Sequence, residues 1–357
     1  MSPETLKTTP NDILTETDST AVERTVPEEE RFTLNAVEHD LVTRYQPKFI
    51  AKGGEHIVYD IPEHQGVVVK VATEALRGIL EWNMTHGLPA DSLEEEVKSA
   101  VQDFLKREGV YHQQLKQYFG AEHVPGQKEA LIKIPVTQDI LKVVCREGVI
   151  PEINEAWSVI TIQKRVEAMN DPDRLSLVTG YAEKEGVRAD VYKKITDRLV
   201  FEQGTEEKLD KEEFLSVQSS DSLRALLSAS ETDENVHKLL RELIKKIIIY
   251  TEDTGEILDL AGQDNVVVYQ KEDKISYSLV DARYPGDNRV MDKTVAILIK
   301  LSLGTEIDEH EKNLLLNGLN FVRTVNGLAE LLGIDKKIHV VPQSVKVSSV
   351  DFLEMLR

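Results

Sequence analysis

Ile257-Leu258-Asp259-Leu260-Ala261-Gly262-Gln263-Asp264-Asn265-Val266-Val267-Val268 is the stretch on which the reading of this chain turns. An apolar pair leads into an aspartate. Gly262, Asp264 and Asn265 then make a polar turn, since all three tolerate or promote sharp backbone reversals. The β-branched run from Val266 has the composition of a strand. A second run, Ile275–Val280, follows the charged turn Lys271-Glu272-Asp273-Lys274, so Val266–Tyr269 and Ile275–Val280 read as a hairpin. That hairpin leaves through Ser278-Leu279-Val280-Asp281-Ala282-Arg283. Carboxylate and amide groups at the two ends of one hairpin can converge on a single divalent cation. Mg²⁺ takes oxygen ligands and keeps waters or phosphates in its shell. Turn chemistry alone also accounts for Gly262, Asp264 and Asn265. Asp281 stands apart, because a carboxylate after an apolar strand needs a partner.

Upstream, Phe49-Ile50-Ala51-Lys52-Gly53-Gly54-Glu55-His56-Ile57-Val58-Tyr59-Asp60 reads as strand, glycine turn, strand. Pro62 to Gly66 turn the chain again, and Val67-Val68-Val69-Lys70-Val71 is a third strand. Residues 74–118 are helical in pattern, broken at Gly87-Leu88-Pro89. In the second part Val97, Val101, Leu105, Val110 or Tyr111, and Leu115 recur near the helical period. Strands follow at Ala130–Val136 and Ser158–Val166. Gly53 and Gly54 let backbone N–H groups approach a phosphate, and a plain hairpin turn explains them as well. Lys70 would hold an anionic group as a point charge, or guard a sheet edge. Glu108, in Phe104-Leu105-Lys106-Arg107-Glu108-Gly109, would pair with Lys70 if buried, since buried glutamates are paired.

The second half is predominantly helical. Helices are expected around Leu175–Glu185, Ala189–Val200, Ser222–Ala229, 290–302, 308–332 and 348–356, with a polar stretch from Gln203 to Asp233. The strongest is 235–251, with Val236, Leu239, Leu240, Leu243, Ile244 and Ile247 on one face. Residues 1–38, rich in Thr, Glu, Asp and Pro, predict a disordered acidic leader.

The whole chain has 357 residues, 43 Lys+Arg against 63 Asp+Glu, and a formal charge of −20. At 41% hydrophobic it has the apolar content for a folded core. Its length suggests two domains or lobes at roughly 150 residues each. The acidic balance argues against nucleic-acid binding, which needs a Lys/Arg stripe. Cys145 is the single cysteine, so an internal disulfide is impossible, and a reducing, cytoplasmic setting is expected. No apolar run approaches the roughly 20 residues of a membrane span. The nine histidines form no His-x-x-x-His pair or Cys/His cluster, so no structural zinc is expected. No Gly-x-Ser-x-Gly elbow is present.

In order, then, come a glycine turn, a strand lysine, a helical glutamate, Asp…Asn before a hairpin, and Asp after it. This order resembles the protein-kinase-like superfamily, over residues 45 to about 300, in its atypical bacterial, small-molecule-kinase-like branch. The resemblance implies a two-lobed α+β fold of three parts: the leader (1–38), a small N-terminal lobe with a five-stranded antiparallel sheet (40–165), and a larger helical C-terminal lobe (166–357) carrying the hairpin 266–281. It implies ATP and Mg²⁺ as cofactors. Gly53 and Gly54 would be a shortened glycine-rich loop, Lys70 the lysine on the α/β-phosphates, and Glu108 its partner. Ile162–Val166, with Gln163 and Arg165, would be the hinge that reads adenine. Asp259 would be the catalytic-loop aspartate, and Asn265 and Asp281 would hold the metal.

The departures bear on activity. The family's His-Arg is replaced by Ile257-Leu258, Asp259 and Asn265 are six apart instead of five, and Asp-Phe-Gly has become Asp281-Ala282-Arg283. Asp264 is an alternative base. No Ala-Pro-Glu segment follows, which tilts the unknown acceptor toward a small molecule. Three readings remain open: an active phosphotransferase, a pseudokinase that serves as a nucleotide-binding or regulatory module, and an unrelated acidic α+β interaction protein.

Overall fold

The computed structural model describes residues 36–39, 48–52, 56–61, 64, 66–144, 153–178, 189–202, 208–218, 220–284 and 289–340. Gly53, Gly54 and Cys145, nearly all of the 1–38 leader and the 348–356 segment lie outside them. The chain divides into two compact units, Met1–Gln117 with Gly126–Arg165, and Tyr118–Pro125 with Val166–Arg357.

The first unit is built on one five-stranded sheet. Its strands are β1 (Lys48–Lys52), β2 (His56–Asp60), β3 (Val67–Ala72), β4 (Gln127–Pro135) and β5 (Glu155–Lys164), in the order β1-β2-β3-β5-β4. Every neighbouring pair is antiparallel. Successive side chains of a strand point to opposite faces. On β3 this sends Val67, Val69 and Val71 into the core with Ile57, Tyr59, Ile160 and Ile162, and Val68 and Lys70 to the other face. Helix α1 (Thr73–Thr85) follows β3 directly and adds Leu76 and Leu80 to that core. It stops at the expected break: Gly87 takes φ 67°, and the Leu88 amide bonds back to the Asn83 carbonyl at 2.8 Å. The Asn83 side-chain amide then ties down the Ala90 and Ser92 carbonyls at 3.2 and 3.0 Å. Helix α2 (Glu95–Phe119) buries Glu108, His112, Leu115 and Phe119. Of the two alternatives for the inner face, Val110 is 43% exposed and Tyr111 is half-buried. The stripe runs through Glu108 and His112 instead, which a count of apolar residues passes over. Helix α3 (Gln138–Val144) follows β4.

The second unit is helical around a small sheet. A two-residue strand, β6 (Leu175–Ser176), pairs with β7 (Val266–Lys271), and β7 pairs with β8 (Lys274–Leu279), both antiparallel. The helix expected around Leu175–Glu185 is therefore not what the described part of that segment forms; pairing with Val267 and Val268 supplies Leu175 and Ser176 with ladder partners instead. The helices are α4 (Ala189–Leu199), α5 (Lys211–Gln218), α6 (Asp221–Thr232), α7 (Glu234–Thr254), α8 (Val290–Ser302) and α9 (Glu309–Leu331). Helix α5 lies in the stretch read as merely polar. Asp210 caps it, accepting from the Glu213 amide at 2.8 Å, and it buries Phe214, Leu215 and Val217. The Asp-x-x-Glu spacing was the readable signal. Helix α7 is capped by Asp233, which accepts from Asn235 and Val236, and buries Val236, Leu240, Leu243, Ile244 and Ile247 of the face expected of it, with Leu239 half-buried. Helix α9 starts at a reciprocal capping box of Asp308 and Glu311. Among the described residues no helix is long and apolar enough to cross a membrane.

Candidate functional site

In the second unit, Asp259, Asn265 and Asp281 are drawn together by backbone before any side chain acts. Leu258 and Arg283 form an isolated antiparallel bridge, and the Asp259 amide donates to the Ala282 carbonyl at 2.9 Å. The Asn265 carbonyl accepts from Val280 at 2.8 Å and from Asp281 at 3.4 Å. The loop before β7 is thus laced to the exit of β8. Gly262 makes the loop possible: a Cβ there would lie 2.3 Å from the Asn265 amide nitrogen.

The side chains continue the pattern. Asp259 Oδ1 accepts from the Ala261 amide at 2.9 Å. Asn265 Nδ2 donates to Asp259 Oδ2 at 2.9 Å and to its carbonyl at 3.2 Å. Among the described residues no donor engages Asn265 Oδ1, so the amide oxygen remains for a ligand. Burial pushes the Asp259 carboxyl above its ordinary range; amide hydrogen bonds from Ala261 and Gly262 oppose this, and the nearby Asp281 charge adds to it. The Asp281 carboxylate and the Asn265 amide oxygen are hard-oxygen donors of the kind that suit a divalent cation, and the Asp259 carboxyl lies close enough to feel the Asp281 charge. Among the described residues there is no cluster of three His, Cys, Asp or Glu suited to a metal; the pair expected to hold one combines a single carboxylate, Asp281, with an amide, Asn265.

Asp264, the alternative base, is committed elsewhere. It sits at φ 66°. Its carboxylate accepts from Arg174 Nε and Nη2 at 3.3 and 3.0 Å and from Ser176 Oγ at 2.7 Å. Burial alone would raise its pKa, but the Arg174 and Ser176 hydrogen bonds and the Arg174 charge outweigh that and hold it below the usual carboxylate range. Arg174 and Ser176 escaped the sequence reading, because nothing local marks either as a partner of a residue about ninety positions away.

The remaining candidates lie in the first unit. Lys70 is 7% exposed and pairs across the sheet with Val58 and Thr161. Gln163 pairs with Val68 and shares the face of Lys70. Its amide donates to Gln127 Oε1 at 3.2 Å, and Gln127 donates to Glu129 at 2.6 Å. Arg165 pairs with Asp60 at 2.7 Å, joining the ends of β5 and β2. The Lys164 and Arg165 amides bond to the Gly126 and Gly66 carbonyls at 2.8 and 2.7 Å. Two backbone donors of the segment expected to read adenine are thus already engaged. Glu108 is 9% exposed on α2. One turn further on, burial drives the His112 pKa down to about 3, with the Lys116 charge adding to the effect, so this imidazole is neutral at physiological pH.

No family model, no curated protein and no solved structure matches this chain.

Proposed function

We propose that the chain is a kinase-like phosphotransferase that uses ATP and Mg²⁺, with a small-molecule hydroxyl as the favoured acceptor. The observation that carries this reading is the gathering of Asp259, Asn265 and Asp281 by the loop and hairpin. Asn265 and Asp281 would hold the metal. The metal would neutralise charge on the phosphates, which is most of what phosphoryl transfer asks of a site besides positioning. Asp259 would orient the acceptor hydroxyl and take its proton as the new oxygen–phosphorus bond forms and ADP leaves with the electrons of the broken bond. A pKa raised by burial suits a carboxylate that must accept a proton. Lys70, buried on β3, is assigned to the phosphates, and Glu108 to orienting it. The test is Mg-ATP consumption by wild type and by Asp281→Ala across a panel of hydroxyl acceptors. Wild-type turnover lost in the variant supports the proposal, and equal turnover removes it.

A second reading rests on the same loop. Both Asp259 oxygens already accept hydrogen bonds, from Ala261 and from Asn265, which favours a nucleotide-binding or regulatory module without transfer. It predicts a Mg²⁺-dependent rise in melting temperature with ATP, following RT ln(1 + [L]/Kd), and no product.

A further inference from the structure

Asp264 stands directly before Asn265, and its backbone is in the left-handed region at φ 66°. That region is uncommon for a residue with a Cβ, and such conformations persist where surrounding contacts enforce them. Here the enforcing contacts come from a distant segment. Arg174 grips the Asp264 carboxylate through Nε and Nη2, and Ser176 adds a third hydrogen bond. Arg174 is itself anchored, because its Nη1 donates to the Asp171 carbonyl at 3.2 Å. The Asp171 carboxylate in turn accepts from the Asp173 amide at 2.9 Å and from the Gln270 amide on β7 at 3.2 Å. Strand β6 seats the arginine: Leu175 and Ser176 pair with Val268 and Val267, and the Leu177 amide bonds to the Val266 carbonyl at 2.9 Å. The ring of contacts therefore closes on the residue that follows Asn265. Side-chain exposures of 27% for Arg174 and 21% for Asp264 shield the pair from water, so it is stiffer than a surface ion pair.

We propose that Arg174, assisted by Ser176, is a positioning residue for the metal site, holding Asp264 in the left-handed turn that aims the Asn265 amide at Asp259 and leaves its oxygen for the cation. The inference rests on the metal reading of Asn265 and Asp281 above. It assigns β6 a purpose: the two-residue strand delivers a guanidinium to the underside of the loop. Partners one step removed from a metal commonly tune its affinity 10- to 100-fold.

The test reads metal binding directly, with Mn²⁺ as the probe and electron paramagnetic resonance of free Mn²⁺ as the readout, on the full chain with and without ATP. Arg174→Gln should weaken Mn²⁺ about 10-fold or more, Ser176→Ala roughly 3- to 10-fold, and Arg174→Lys should fall between Arg174→Gln and wild type, keeping charge but not the fork. Asp264→Asn should weaken binding as Arg174→Gln does, and the double variant should be no worse than either single one, because the two act as one unit. Glycine adopts positive φ without a steric cost, so Arg174→Gln with Asp264→Gly should bind Mn²⁺ more tightly than Arg174→Gln alone. A purely structural arginine would lower melting temperature without moving Mn²⁺ affinity in the folded variants; that result, or additive losses, or no recovery with Asp264→Gly, overturns the proposal. Should Arg174→Gln fail to fold, Ser176→Ala with unchanged affinity overturns it equally. No Mn²⁺ on the wild-type chain takes down the metal reading and this inference together, whereas wild-type binding matched by Arg174→Gln removes only the inference.

Discussion

On β3 and β5, Lys70 and Gln163 share a sheet face because each stands at the right parity of a regular strand. Between Ile257 and Asp281, by contrast, three polar residues meet because the backbone is irregular: a glycine at which a Cβ would lie 2.3 Å from the Asn265 amide nitrogen, an aspartate at φ 66°, and one carbonyl shared by Val280 and Asp281. The first arrangement is held by a ladder and an apolar core and tolerates local change. The second depends on a few close contacts, and a small displacement at any of them moves all three side chains. A strained, specific loop on a stable hairpin is where function is expected to sit, since strain persists only where surrounding structure maintains it.

The contrast is broken most sharply by Gly262→Ala. The added methyl cannot fit beside Asn265 without moving it, so Mg-ATP turnover should fall by about 10²-fold, the scale expected of a displacement near 1 Å, with the first unit unaffected by hydrogen exchange. In the sheet, Val69→Ala opens a gap in a fully buried position and should cost on the order of 2 kcal/mol in urea unfolding, with exchange rising across β2, β3 and β5. Lys70→Met should weaken ATP roughly 10-fold or more, the scale of a hydrogen bond to a charged group, read by thermal shift, while leaving Mn²⁺ binding without nucleotide unchanged.

Opposite pH dependences sharpen the comparison within the loop itself. The Asp259 pKa is raised by burial above the ordinary 3.8. Its charged form therefore opposes folding, and the stability it contributes is full below pH 3.8 and lost as pH rises through the folded value. In metal-free buffer, Asp259→Asn should stabilise the protein at neutral pH, with the gain fading on acidification. The Asp264 pKa is lowered from 3.8 by Arg174 and Ser176 against the effect of burial. Its contribution is present above 3.8 and lost as pH falls through the lower, folded value. Asp264→Asn should therefore destabilise at neutral pH, and less in acid. The smallest effect belongs to Arg165→Ala, whose pair with Asp60 is about one-third exposed and should be worth roughly 0.2–1 kcal/mol by double-mutant cycle.

Much of the fold could be read from residues in order. The five strands of the first unit, the hairpin, and helices α7, α8 and α9 follow from β-branched runs, turn residues and helical period, because those signals are local. The same logic placed Asp259, Asn265 and Asp281 at the hairpin ends. It failed at Leu175–Ser176, where pairing with Val267 and Val268 decides the structure, and on α2, where buried Glu108 and His112 occupy positions that a hydrophobic count assigns elsewhere.

What the amino-acid order determined by itself is the set of elements and the residue types held at their ends, since periodicity and turn chemistry act over a few positions. Tertiary structure alone decided which of two neighbouring aspartates remains beside Asn265. Asp264 is turned away by an arginine ninety residues upstream, and Asp259 is left in the loop, half-buried beside the exit of the hairpin. Hydrogen bonds and charge act through space, and the chain distance between Arg174 and Asp264 carries no trace of the 3.0 Å that separates them.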